Sequence, residues 1–132
     1  MSIDQRELRY LQSHEWARQD GDHVVVGITD FAVKELQDLV FIALPKLGSR
    51  VARGKRMGEI ESVKAVVDIF SPVDGTVAAV NAAVDKDVQV VAGDPFGAGW
   101  MVRVKPDAAP AAALEGLLDA DAYARHTAAG GH

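Results

Sequence analysis

The chain has 132 residues, 48% of them apolar, which is enough for one domain with a real core and argues against wholesale disorder. Acidic side chains outnumber basic ones 19 to 14 and no Lys/Arg cluster occurs, so the chain lacks the phosphate-neutralising footprint of a nucleic-acid binder. The absence of cysteine rules out disulfides, thiolate catalysis and Cys-based zinc or iron–sulfur sites.

Residues 1–7 show neither an apolar signal core nor an Arg/Ser-rich transit pattern, and the apolar runs fall far short of the roughly 20 residues of a membrane span. A single cytoplasmic domain over residues 1–132, with no membrane contact, is expected. Residues 8–105 carry short β-rich runs broken by turn residues. Val24-Val25-Val26-Gly27-Ile28 follows the turn signal Asp20-Gly21-Asp22. Thr29 or Asp30 then caps a short helix near residues 30–37, with Phe31, Val33, Leu36 and Leu39 along one side. Val40-Phe41-Ile42-Ala43-Leu44, closed by Pro45, suits a strand buried on both faces. Residues 58–62 and 65–70 alternate as strands, and Ser71-Pro72-Val73-Asp74-Gly75 turns the chain into a strand over 76–80. Residues 100–105 read as the last strand. Turn signals about every ten residues favour a sandwich or barrel.

From Pro106 onward the composition shifts, with ten alanines in 27 residues. Alanine favours helix and is poor in strands, so helices are predicted within 107–126, docked through Leu114, Leu117, Leu118 and Tyr123. Asp119 serves as a cap, and residues 127–132 are expected to fray.

Catalytic constellations are missing. The four histidines (His14, His23, His126 and His132) have no metal-ligand spacing, and no nucleophile elbow, phosphate loop or dinucleotide fingerprint occurs. His14-Glu15 could serve acid–base chemistry, but strand neighbours point to opposite faces. The pair reads as two polar surface residues before a packed Trp16.

The informative segment runs from Gly58 to Gly75 through Glu61-Ser62-Val63-Lys64-Ala65. Strand-like runs on both sides make Val63-Lys64 the tip of a hairpin. On periodicity alone, a lysine there reads as a solubilising charge. Two features count against that: valine and alanine flank it where Asn-Gly would make the easiest tight turn, and Gly54 and Gly75 stand 10 residues before and 11 after it.

Glu61-Ser62-Val63-Lys64-Ala65, with Ser71-Pro72-Val73-Asp74-Gly75 and Val80-Asn81, resembles the lipoylation hairpin of the glycine cleavage system H proteins. The resemblance runs nearly end to end. It includes His14-Glu15-Trp16, Val26-Gly27-Ile28-Thr29-Asp30, Val40-Phe41-Ile42-Ala43-Leu44-Pro45, the stretch from Asp94 to Trp100, and Leu117-Leu118-Asp119-Ala120 with Tyr123. Related lipoyl domains usually carry Asp-Lys-Ala and biotin carriers Met-Lys-Met, where this chain has Val63-Lys64-Ala65.

The resemblance implies a mainly β, barrel-sandwich hybrid with a short internal helix and C-terminal helices, and a lipoyl group in amide linkage on Lys64. It implies a non-catalytic shuttle between glycine decarboxylase, a pyridoxal phosphate enzyme, and an aminomethyltransferase that uses tetrahydrofolate. Dihydrolipoyl dehydrogenase would then reoxidise the dithiol. Glu61, Ser62, Val63 and Ala65 would present the lysine to a lipoylating enzyme. Ser13, Glu15 and Asp68 match a cleft that would shelter the loaded arm. Such an arm reaches roughly 14 Å from the backbone to its nearer sulfur.

The chain departs from the family pattern at a few positions. Gln37 stands where glycine is usual, Val88 and Ala92 replace proline and asparagine, and Ala98 replaces an acidic residue. These changes affect residues 85–94, read as a loop, more than the hairpin. Two other readings stay open: an H-like lipoyl carrier acting in lipoate relay or another complex, and a binding module whose Lys64 is never acylated.

Overall fold

A computed structural model describes residues 7–130. The readings made for residues 1–6 and 131–132, on targeting and fraying, lie outside the described residues. In chain order the elements are β1 (Arg9–Tyr10), β2 (Glu15–Asp20), β3 (His23–Ile28), α1 (Asp30–Leu36), β4 (Leu39–Ala43), β5 (Arg50–Val51), β6 (Arg56–Ser62) and β7 (Val66–Phe70). They continue with β8 (Gly75–Val80), α2 (Ala82–Lys86), α3 (Gln89–Gly93), β9 (Val102–Pro106), α4 (Pro110–Ala113) and α5 (Ala120–Ala128). The strands form two antiparallel sheets, one ordered β1-β2-β3-β9-β8-β5 and the other β4-β6-β7. The described strands do not close into a barrel. They stack as a sandwich, with the core between the sheets.

Side-chain alternation explains the layers. On β2 and β3, Ala17, Val24 and Val26 face the inner core with Val77, Val102 and Val104. Their neighbours Trp16 and Val25 face the other way, against Leu8, Tyr10 and Tyr123. The strand buried on both faces is therefore β3. Gly27 makes this possible, since a Cβ there would sit 2.6 Å from the Trp16 indole. The indole N–H donates to the Pro95 carbonyl at 3.0 Å.

Two-sided burial of residues 40–44 is not observed. β4 is an edge strand of the small sheet, and a bulge between Leu39 and Phe41 leaves Val40 52% and Phe41 54% exposed. Only Leu39 and Ile42 reach the core, joining Ile60, Ile69 and Met101. β7 is the other edge, and its alternation weakens in the same way, because Val66 and Val67 are exposed while Ile69 is buried.

The helices follow their caps. Thr29 caps α1, its hydroxyl accepting from the Ala32 N–H at 3.3 Å. Gln37 ends α1 with φ 64, a backbone region that glycine adopts freely and a residue with a side chain only under strain. Residues 85–94 are not one loop: the end of α2 and all of α3 lie there, and the two helices bury Val84 and Val91. Asp119 caps α5 as expected, accepting from Ala122 N–H at 2.8 Å. The helix then runs on through Thr127 and Ala128, which the sequence reading placed in a fraying tail. None of the described helices is long and apolar enough to cross a membrane.

Candidate functional site: a lysine-tipped hairpin beside a cleft

β6 and β7 pair antiparallel up to Glu61 and Val66, so Val63 and Lys64 form a two-residue tip. Tips of this length favour left-handed residues such as Asn-Gly. Here neither Val63 nor Lys64 has a positive φ, a feature confined among described non-glycine residues to His14 and Gln37. Side-chain and neighbouring-segment bonds hold the turn instead. Ser62 N–H donates to the Ala65 carbonyl at 2.7 Å, and Ala65 N–H donates to the Ser62 hydroxyl at 3.1 Å. Val63 N–H donates to the Asp38 carbonyl at 2.9 Å, tying the tip to the segment before β4. Lys64 itself is exposed and takes part in no ion pair among the described residues.

The surface around the tip is apolar. Phe41, Glu61 and Val66 stand in register across β4, β6 and β7. With Val63 at 75% exposure, they flank the lysine with hydrophobic surface and one carboxylate. The two glycines stand beyond the outer ends of the two paired arms. Gly54 sits in a turn with φ 78, and Gly75 begins β8.

A cleft of about 160 Å³ opens between the 13–15 segment, α1 and β7, lined in part by Ser13, Glu15, Ala32, Leu36, Val67 and Ile69. A larger hollow of about 460 Å³ lies between the 10–13 segment and Arg53, but Glu15, Asp68 and the hairpin tip do not line it.

Glu15 dominates the cleft's chemistry. It is 1% exposed, not a surface residue, and His14 beside it is buried as well. Surface placement fails because the end of β7 binds the Glu15 carboxylate and Tyr123 of α5 binds the His14 ring. Ser13 donates its hydroxyl proton to Glu15 Oε1 at 2.5 Å, and Phe70 N–H donates to Oε2 at 2.8 Å. Burial pushes the carboxyl up to about 7, against the pull of these bonds toward the ionised form. Glu15 is thus poised between neutral and charged near neutral pH.

Asp68 also borders the cleft, but its carboxylate is engaged on the outer face of the hairpin. Arg56 Nε donates to Asp68 Oδ1 at 2.9 Å while its Nη2 donates to Glu59 at 2.6 Å. Ser13 and Glu15 are therefore bonded to each other in the cleft, and Asp68 is a neighbour with its own partner. Sequence reasoning missed this Arg56 bridge, the Phe70 N–H and the Tyr123 hydroxyl described below. The amphipathic sequence around Tyr123 signalled docking, but nothing local signalled its partners.

A β-sandwich presenting a lysine without an ion pair on a hydrogen-bonded hairpin, beside a small cleft with a buried carboxyl, has the features of a carrier domain more than those of an active site. The comparisons agree with that class. The family model of the glycine cleavage H-protein matches residues 8–129. The glycine cleavage system H protein of Mycobacterium bovis (strain BCG / Pasteur 1173P2) is 46% identical over 128 residues, covering 93% of this chain and 96% of that protein. The protein of the same name from Marinobacter nauticus is 45% identical over 130 residues, with 98% of each chain covered. A crystal structure of a glycine cleavage system H protein from Mycobacterium marinum superposes with TM-score 0.85 at 39% identity, over 96% of this chain and 99% of that one. The chain belongs to the glycine cleavage H-protein family.

Proposed function

We propose that this chain is the lipoyl-carrying shuttle of a glycine cleavage system, modified in amide linkage at Lys64. The observation that carries the reading is the free, exposed Lys64 on a two-residue tip in a chain of this family. When attached, the lipoyl group supplies a dithiol/disulfide couple able to take up the aminomethyl group of glycine and two electrons. The protein's own residues do the rest. The rigid hairpin presents the lysine at a fixed place. Val63, Val66 and Phe41 offer apolar surface to whichever enzyme holds the tip, with Glu61 and Ser62 setting its polarity and shape.

The partners in this reading are a lipoylating enzyme, glycine decarboxylase, an aminomethyltransferase and dihydrolipoyl dehydrogenase. Between visits, Ser13 and Glu15 hold the cationic end of the arm in the cleft, where a charge-assisted bond is strong and water is scarce. The arm reaches the border of the cleft: Asp68, on its lining, lies four residues along the strand from Lys64, about 13 Å at the usual rise, against an arm of roughly 14 Å. The experiment is an intact mass and peptide map of protein purified from its native host. The lipoyl mass on Lys64 supports the reading. An unmodified Lys64, or the mass on Lys55 or Lys86, overturns it.

A further inference from the structure

The C-terminal helix does more than cover the sheet. The Tyr123 hydroxyl on α5 lies 2.8 Å from His14 Nδ1 and 2.7 Å from the Thr29 hydroxyl. These partners sit 109 and 94 residues away in sequence; His14 lines the cleft, and Thr29, bonded to it across the start of the β2–β3 pairing, leads into α1. His14 is the residue between Ser13 and Glu15. Thr29 caps α1, which forms the opposite side through Ala32 and Leu36.

The geometry points to Tyr123 as a positioning residue for the cleft, clamping the Ser13–Glu15 segment to the start of α1 so that the Glu15 carboxyl is held dry and aimed inward. The proposal rests on the carrier reading above for its biological meaning, but not for its geometry.

Three observations support the clamp. His14 has φ 81, a left-handed backbone that a side chain occupies at some cost and that surrounding contacts must hold. That conformation turns the chain between Ser13 and Glu15. The contacts that hold it converge on this residue. The Thr29 N–H donates to the His14 carbonyl at 3.0 Å, the Phe31 ring lies 4.7 Å from the imidazole, and the Tyr123 hydroxyl binds Nδ1. Tyr123 in turn is fixed without its hydroxyl, because its ring stacks on Tyr10 with centroids 4.4 Å apart and planes within 6°. Ring and hydroxyl therefore have separable tasks. The stack docks the helix, and the hydroxyl sets the cleft. A hydroxyl can donate one proton and accept two, so one group can bridge imidazole and threonine. Burial pushes the phenol up to about 12, so it stays protonated and able to bridge across the working range.

The test is Tyr123→Phe, which keeps the ring and removes only the bridging oxygen. Its first readout needs no arm: the Glu15 titration midpoint in unmodified protein, followed by carboxyl-carbon NMR. A loosened, wetter cleft moves the midpoint from about 7 back toward the ordinary 4.5. The second readout is spontaneous loss of the aminomethyl group from loaded protein without partner enzymes. It speeds up about threefold to tenfold, the range set by roughly one net hydrogen bond. The third combines the change with Glu15→Gln. A residue acting through Glu15 adds nothing in that background.

An unchanged Glu15 midpoint in folded Tyr123→Phe overturns the clamp. So does equal acceleration in the Glu15→Gln background. Loss rates that ignore Glu15→Gln itself would instead remove the sheltering part of the carrier reading. The midpoint would still judge the clamp.

Discussion

The backbone N–H of Phe70 donates to Glu15 Oε2 at 2.8 Å, and this bond joins β2 of the large sheet to β7 of the small one. The strand that descends from the lysine tip thus ends on the buried carboxyl of the cleft. Tip and cleft belong to one hydrogen-bonded unit, which gives their relative placement a physical cause.

The first prediction concerns pH. The folded protein holds the Glu15 carboxyl near 7, above the ordinary 4.5, so between those values the native state binds more protons than the unfolded chain. Stability from this group is fully present below about 4.5 and is lost as pH rises through about 7. The displacement corresponds to about 3 kcal/mol at most. Urea unfolding at pH 5 and pH 8 should show the wild type more stable at the lower value, with Glu15→Gln flattening that difference. Equal flatness in both proteins would contradict the buried carboxyl.

A second prediction separates the two acidic residues of the cleft. Glu15 is buried and Asp68 is half-exposed on Arg56, where an ion pair contributes under about 1 kcal/mol. In loaded protein, Glu15→Gln should account for nearly all the faster aminomethyl loss, and Asp68→Asn should change the rate by less than about twofold. The Asp68 effect should also fade with added salt, since its surroundings are wet. A larger effect from Asp68→Asn than from Glu15→Gln would reverse the assignment.

The hairpin tip supplies a third. Ser62→Ala removes the acceptor of the Ala65 N–H, costing about 1 kcal/mol and loosening the turn that presents Lys64. Lipoylation in a purified system should slow while the fold persists. Lys64→Arg should fold normally and take no lipoyl group. Two residues inserted between Lys64 and Ala65 should abolish modification while the thermal midpoint falls only slightly, because exposed tips tolerate insertion. Efficient modification of that insertion variant would show that local sequence suffices.

Gln37 gives a fourth. It occupies φ 64 on an exposed surface at the end of α1, where left-handed backbone strains any side chain. Gln37→Gly should stabilise the protein by about 1 kcal/mol, read as a rise in denaturant midpoint. A lower midpoint would mean that the gain in chain entropy of the unfolded state outweighs the relieved strain.

Much of this protein was written in local sequence. The β-rich texture, the cap residues Thr29 and Asp119, the hairpin tip at Val63-Lys64 and the run of family motifs depend on neighbours within a few residues. Turn chemistry, capping and alternation are local physics, so they can be read from the chain. Tertiary structure alone decided which apolar run lies in the middle. Val24 to Val26 and Val40 to Ala43 look alike as strings. β3 has strands on both sides and cover on both faces, whereas β4 is a bulged edge with Phe41 in the open. Only the fold could bury His14 and Glu15, because the atoms that enclose them come from Phe70, Thr29 and Tyr123, 15 to 109 residues distant. Burial and its effect on a carboxyl depend on which distant segments exclude water, and no local pattern encodes that.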